Sequence, residues 1–211
     1  MKAPLTRPFA ALRTILWPLR AADEGPRHLR SFAIALAIAL LPAALAWASM
    51  PVPVDVQTEL FVNIGKHDRN FDPRRGIVLG IVYQDDFPES VAAKNAVIEA
   101  AKSRSLPVTC VPLEVGSQQL LRKRLTETNA NIVYVAPLRA VDVGDIGRIT
   151  RQRDIRSVTG IPEYVDLGIA VGIGLRNRRP LIIINLEAAR AEGAAFSSQL
   201  LSLARIVGPL R

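Results

Sequence analysis

Residues Ile77-Val78-Leu79-Gly80-Ile81-Val82-Tyr83 form an apolar run with no alternation of polar and apolar side chains. A strand written this way is covered on both faces, because an exposed face would carry polar residues at every second position. Val108 to Leu113 and Ile132 to Ala136 share that character. Between the runs the spacing changes. Ser90 to Ser103 puts Ala93, Val97, Ala100 and Ala101 on one helical face, and Ser117 is placed to cap a helix carrying Leu120, Leu121 and Leu125. Doubly covered strands alternating with amphipathic helices predict a parallel sheet with right-handed crossovers. The expected fold class is α/β: a single three-layer domain with a largely parallel sheet of about five to six strands, a C-terminal hairpin and terminal helices.

The flanking segments fill in that plan. Val56, Leu60, Ile64, His67 and Phe71 recur at helical spacing and end before Pro73, which predicts an opening helix. Pro112 sends the second strand towards a sheet edge. A helix around Asp142 to Gln152 is weakened by Gly144 and Gly147, and Ser157-Val158-Thr159 is a short strand. Ile169 to Leu175 and Leu181 to Ile184 flank Arg176-Asn177-Arg178-Arg179-Pro180 and read as a hairpin. Gly172 and Gly174 alternate within it, leaving one face bare for close packing. Asn185 caps a short helix ended by Gly193. Phe196, Leu200, Leu203, Ala204 and Val207 predict a final helical stripe.

The net charge of +8 looks like a nucleic-acid signal until it is divided. Residues 1–48 carry six Lys/Arg against two acids, so half the excess lies in this short stretch. No charged residue occurs from Ser31 to Val54, and Ala46-Trp47-Ala48 offers a small-residue cleavage site. Residues 1–48 are expected to be a signal peptide, the preferred reading, or an uncleaved membrane anchor. Residues 49–55 are read as a linker and 56–211 as an exported domain, since the positive flank stays inside. Aromatics make up only 5% of the chain, too few for a base-stacking surface. Nucleic acid is not an expected partner.

Few residues carry chemistry. A single cysteine, Cys110, excludes an intrachain disulfide, and its apolar strand marks it as a small buried hydrophobe. His67 has no second ligand or nucleophile beside it and is read as a helix-end residue tucked against the core. Asp68 and Arg69 suggest a local ion pair. The Gly168, Gly172, Gly174 order does not fit a phosphate loop, and no G-x-S-x-G, H-E-x-x-H or spaced acid pair occurs. The reading is a non-enzyme with no metal and no cofactor. Arg122-Lys123-Arg124 and the arginines of 176–179 are read as solvated faces and turn tips.

Two candidate surfaces remain. A small ligand would sit beyond the carboxyl ends of the strands, lined by Asp85, Asp86, Gly116, Ser117, Pro137, Thr159 and Gly160. Phe61 and Val62 lie off the main apolar stripe of the opening helix and suggest an exchangeable contact with a protein partner.

The C-terminal third carries a resemblance. Gly168-Ile-Ala-Val-Gly-Ile-Gly-Leu, Arg179-Pro-Leu-Ile-Ile-Ile-Asn-Leu and the tail from Ala188 through Ala-Glu-Gly, Phe196-Ser and Leu-Leu-Ser-Leu-Ala resemble the YfiR-like family. Gln57 to Ile64, Asp68-Arg-Asn and Val133-Tyr-Val-Ala-Pro are similar to its upstream elements. The resemblance implies a periplasmic, non-catalytic sensor module acting on an inner-membrane signalling protein, a diguanylate cyclase or a sensor kinase. It leaves a homodimer and a bound small ligand open. With Cys110 alone, the family's disulfide-based redox control does not carry over.

Overall fold

Each apolar run becomes a strand, and each amphipathic stretch between them a helix. The structure is a computed structural model in which residues 50–72, 74 and 76–208 are described. The expected signal or anchor at 1–48 therefore lies outside the described residues. In chain order the elements are α1 (Val54–Lys66), β1 (Ile77–Tyr83), α2 (Pro88–Ser103), β2 (Val108–Glu114), α3 (Gln118–Thr128), β3 (Ile132–Val135) and α4 (Val143–Arg151). There follow β4 (Arg156–Thr159), α5 (Glu163–Asp166), β5 (Val171–Arg176), β6 (Arg179–Asn185), α6 (Leu186–Ala191), α7 (Ser198–Leu203) and β7 (Arg205–Val207).

The sheet has seven strands in the order β2-β1-β3-β4-β5-β6-β7. All neighbours are parallel except the β5–β6 hairpin. Pro112 does sit on an edge strand, where its missing N–H costs no ladder bond. Local chemistry sets the helix starts. Pro88 opens α2, while the side chains of Ser117, Asp142, Asn185 and Ser197 accept backbone N–H groups at the starts of α3, α4, α6 and α7.

Covered faces produce two cores. One packs Phe61 and Ile64 of α1, Ala93 and Val97 of α2, Ala188 of α6 and Leu200 of α7 against Ile81, Tyr134, Val158 and Ile173. The other packs Leu121 and Leu125 of α3 and Val143, Ile146 and Ile149 of α4 against Val82, Val133 and Val135. Gly172 meets its expected role, since a Cβ there would collide with Val165 Cγ2 on α5.

Several expectations are corrected. The final stripe is not one helix: α7 stops at Leu203, Ala204 is extended, and Arg205–Val207 pairs with β6 as a seventh strand. Leu203 is consequently 69% exposed. Phe61 and Val62 are 4% and 5% exposed, because α1 is covered by the sheet on one side and by α2 along another. Phe61 stacks at a tilt on Tyr134, and Val62 floors a hollow of about 280 Å³ beside Phe71, Ile77 and Pro107. Neither offers the exposed, exchangeable contact expected of it. The stretch read as a linker is also structured: Val52 is 2% exposed and α1 has begun by Val54.

Candidate functional site

The topology gathers the expected ligand residues along one edge. Asp85 and Asp86 follow β1, Ser117 follows β2, Pro137 follows β3 and Thr159 ends β4. The strand order reverses between β1 and β3, the place where open α/β sheets leave a crevice. Here Gln84 spans it, its Oε1 accepting the Arg139 N–H at 2.9 Å. Tyr164 ties down the same turn after β3, its hydroxyl accepting from Leu138 N at 2.9 Å. Thr159 is fully buried, and its hydroxyl donates to Val135 O at 3.0 Å while accepting from Ile161 N at 3.2 Å. Ser117 Oγ is occupied as a helix cap, and Pro137 is buried. Asp85 and Asp86 stay exposed on their loop. These residues share an edge of the sheet.

The opposite, amino edge is more elaborate. α1 ends at His67, and the following Asp68 is 4% exposed. Asp68 Oδ1 accepts the N–H groups of Asn70 at 3.0 Å and Ala195 at 2.8 Å, while Oδ2 takes the Arg156 guanidinium Nε at 2.9 Å. Arg156 also donates to the carbonyls of Asp154 and Gly193, and Asn70 Nδ2 reaches Gly193 O at 2.9 Å. Backbone bonds from Arg69 to Ala195 and from Ser197 to His67 complete a clasp between segments more than 120 residues apart in sequence. The expected Asp68–Arg69 pair is thus replaced by Asp68–Arg156. His67 is exposed rather than tucked into the core.

A carboxyl group lies just inside this clasp. Glu192 is fully buried, with Oε1 accepting from Thr150 Oγ1 at 2.7 Å and Ser157 Oγ at 2.6 Å, and Oε2 from Ser157 N at 2.8 Å. Burial disfavours its charge and pushes its pKa up to about 7, although these hydrogen bonds and the nearby Arg151 pull the other way. The neutral acid fits the site. Thr150 has one hydroxyl proton and two acceptors in reach, Glu192 Oε1 and Gly147 O at 3.0 Å. A carboxyl proton donated back to Thr150 would free that hydroxyl for Gly147.

Outside the clasp, a groove of about 740 Å³ is lined by Asn70, Phe71, Thr126, Asn131, Arg153 and Asp154, among others. Asn131 shapes its floor, accepting from Val78 N at 3.0 Å and donating to Gly76 O at 2.8 Å. Among the described residues, no cluster of three or more His, Cys, Asp or Glu side chains could hold a metal ion.

The clasp joins Asp68-Arg-Asn to Ala-Glu-Gly, two of the sequence patterns noted above. Across residues 57–205 the chain matches the family described as YfiR/HmsC-like. The chain belongs to that family. Its YfiR/HmsC-like fold also resembles solved structures at low identity. One is a substrate-binding protein with adhesive properties from Clostridium difficile in its ligand-free, open form: 15% identity, TM-score 0.56, covering 75% of this chain and 61% of that one. A conserved domain protein from Vibrio cholerae gives 13% and 0.55, with coverage of 73% and 60%. An ABC domain from Streptococcus pneumonia in complex with L-Trp gives 13% and 0.55, with coverage of 74% and 60%. The chain spans about 60% of each of these proteins, and the likeness is one of fold. Among curated proteins, none matches the chain.

Sequence reasoning did not single out Asn70, Arg156 or Glu192, and it read Asp68 only as a local ion pair with Arg69. Asp68, Asn70 and Glu192 stood inside the quoted patterns and Arg156 outside them, and nothing local showed that these segments would meet.

Proposed function

We propose that the domain is an exported, periplasmic, non-catalytic regulator that acts by contact on an inner-membrane signalling protein, a diguanylate cyclase or a sensor kinase. The YfiR/HmsC-like match over residues 57–205 carries this reading. A domain of this kind works by binding two states of its partner unequally, so that the difference in affinity sets how far the partner's equilibrium moves. The test is deletion of the gene with measurement of cellular cyclic-di-GMP and of the phosphorylation of candidate kinases, alongside co-purification from solubilised inner membrane. A changed output together with a co-purified membrane signalling protein is expected. An unchanged output and no membrane partner would overturn the reading.

A second reading is a small-ligand-binding module. The amino-edge groove favours it, having both polar side chains and apolar walls from Phe71 and Leu125. The fold likeness to a substrate-binding protein and to an ABC domain in complex with L-Trp supports it as well. A ligand there would touch Asn70 and Arg156, members of the clasp, and so couple occupancy to the position of the C-terminal segment. Thermal-shift measurements of the purified protein against amino acids and other small polar metabolites test this, with Arg153→Ala expected to abolish any shift found.

A further inference from the structure

The turn joining β5 to β6 consists of Asn177 and Arg178, with φ of 52° and 61°. Left-handed backbone at both positions is the type I′ geometry of tight hairpins, where glycine is favoured second. Arginine occupies that position here. Arg176 and Arg179 face each other across the ladder immediately before the turn, so three guanidinium groups crowd one tip. All three are exposed, and none joins a salt bridge among the described residues. Leu175, next to them, is 46% exposed.

Register shows where this tip points. Thr159, the last residue of β4, pairs with Gly172, and β5 runs on to Arg176. Four further residues carry the tip about 13 Å past the end of β4, on the carboxyl edge. Asp85 and Asp86 share that edge but follow β1, which β3 and β4 separate from β5 in the sheet, about 14 Å to the side. The chain enters the domain at the same edge. Gln57 donates to Val52 O at 2.6 Å and lies against Gly160, the residue after β4, and Met50 packs against apolar residues of both layers. Immediately upstream is the uncharged run that begins at Ser31, with six cations ahead of it.

We propose that the Arg176-Arg178-Arg179 tip binds the anionic phospholipid headgroups of the membrane that receives residues 31–48. Guanidinium groups pair with phosphate through two parallel hydrogen bonds, and the exposed Leu175 suits the interfacial zone just below. The proposal rests on the export reading above and adds a specific surface to it. Each arginine contributes about a fivefold gain in partitioning at low salt, and three together roughly a hundredfold.

The test reconstitutes the full chain into vesicles of phosphatidylcholine alone or with added phosphatidylglycerol, then follows trypsin cleavage after Arg176 and Arg178. Cleavage slowed roughly a hundredfold on the anionic vesicles, and restored by high salt, is expected. Arg179→Gln leaves both cleavable bonds in place and should lose about fivefold of the protection, while Arg179→Lys keeps it. A melting curve for each variant verifies the fold. Equal cleavage rates on both vesicle types overturn the proposal. Protection found only in native membranes also overturns it and identifies an acidic protein surface as the occupant. Flotation with neutral vesicles scores the anchor separately: a chain that floats only with anionic vesicles contradicts retention of residues 31–48, and because the six cations ahead of Ser31 also favour such vesicles, the tip is scored by the Arg179→Gln cleavage ratio alone.

Discussion

Glu192 shows how burial turns an ordinary carboxyl into a pH-dependent one. In the unfolded chain it has the usual value of 4.5, and folding raises it to about 7. The folded state therefore binds this proton more tightly, and the resulting stabilisation is complete below about pH 4.5 and lost as pH rises towards 7. For a shift of this size the loss is on the order of 3 kcal/mol. Urea denaturation at pH 5 and pH 7.5 should show greater stability at the lower pH, and Glu192→Gln should flatten the difference. The amide can still accept from Ser157 N and donate to Thr150, so the variant is expected to fold. Cys110 is a milder case. It is half-buried and desolvation raises its thiol pKa, with Lys102 opposing. Cys110→Ala should cost about 1 kcal/mol and leave partner binding unchanged, measured by melting and co-purification.

Between elements, contacts matter more than propensities. α5 is only four residues long, yet Gly172 lets Val165 sit directly on β5. Gly172→Leu should lower stability by about 1–3 kcal/mol through overpacking, read as a reduced urea midpoint with unchanged slope. The amino-edge clasp is the stronger link. Asp68→Ala leaves the Arg156 guanidinium without its carboxylate in a site where Arg156 is 14% exposed, and should cost about 3 kcal/mol. Hydrogen exchange should then rise first at Ala195 and Ser197, whose N–H groups bond across the clasp.

At the scale of the whole molecule, the described residues fall within one unit, Ala48–Arg211. Its amino-terminal margin is earlier than composition indicates, because Val52 belongs to the core and Val52 O satisfies the buried Gln57 amide. A chain starting at Ser49 should therefore melt cooperatively. One starting at Val56 removes Val52 and Val54 and should melt many degrees lower, as circular dichroism would show. The two edges of the sheet also differ in character. The carboxyl edge receives the entering chain and carries the arginine tip, while the amino edge holds the clasp and the groove.

Layer order, strand direction and much of the helix placement follow from the sequence alone. Ile77–Tyr83 and Ile132–Ala136 have no polar face, so only a sheet covered on both sides can hold them. Ser117 and Asn185 cap their helices as read, because a cap is a contact within three residues and needs no distant partner. What lay beyond local spacing was decided by tertiary structure. Phe61 and Val62 stand off the α1 stripe, but a helix packed against both a sheet and α2 is buried over a wider arc than one stripe describes. Val207 continues a helical period, but the open edge of β6 offers backbone partners that a helix of one more turn could not use. Asp68 has Arg69 beside it in the chain and takes Arg156 instead, since residues 67–70 turn away from α1 and meet 193–197. Charge, burial and hydrogen-bond supply at such a point come from three separate segments, 67–70, 154–156 and 193–197, and their meeting exists only in the folded chain.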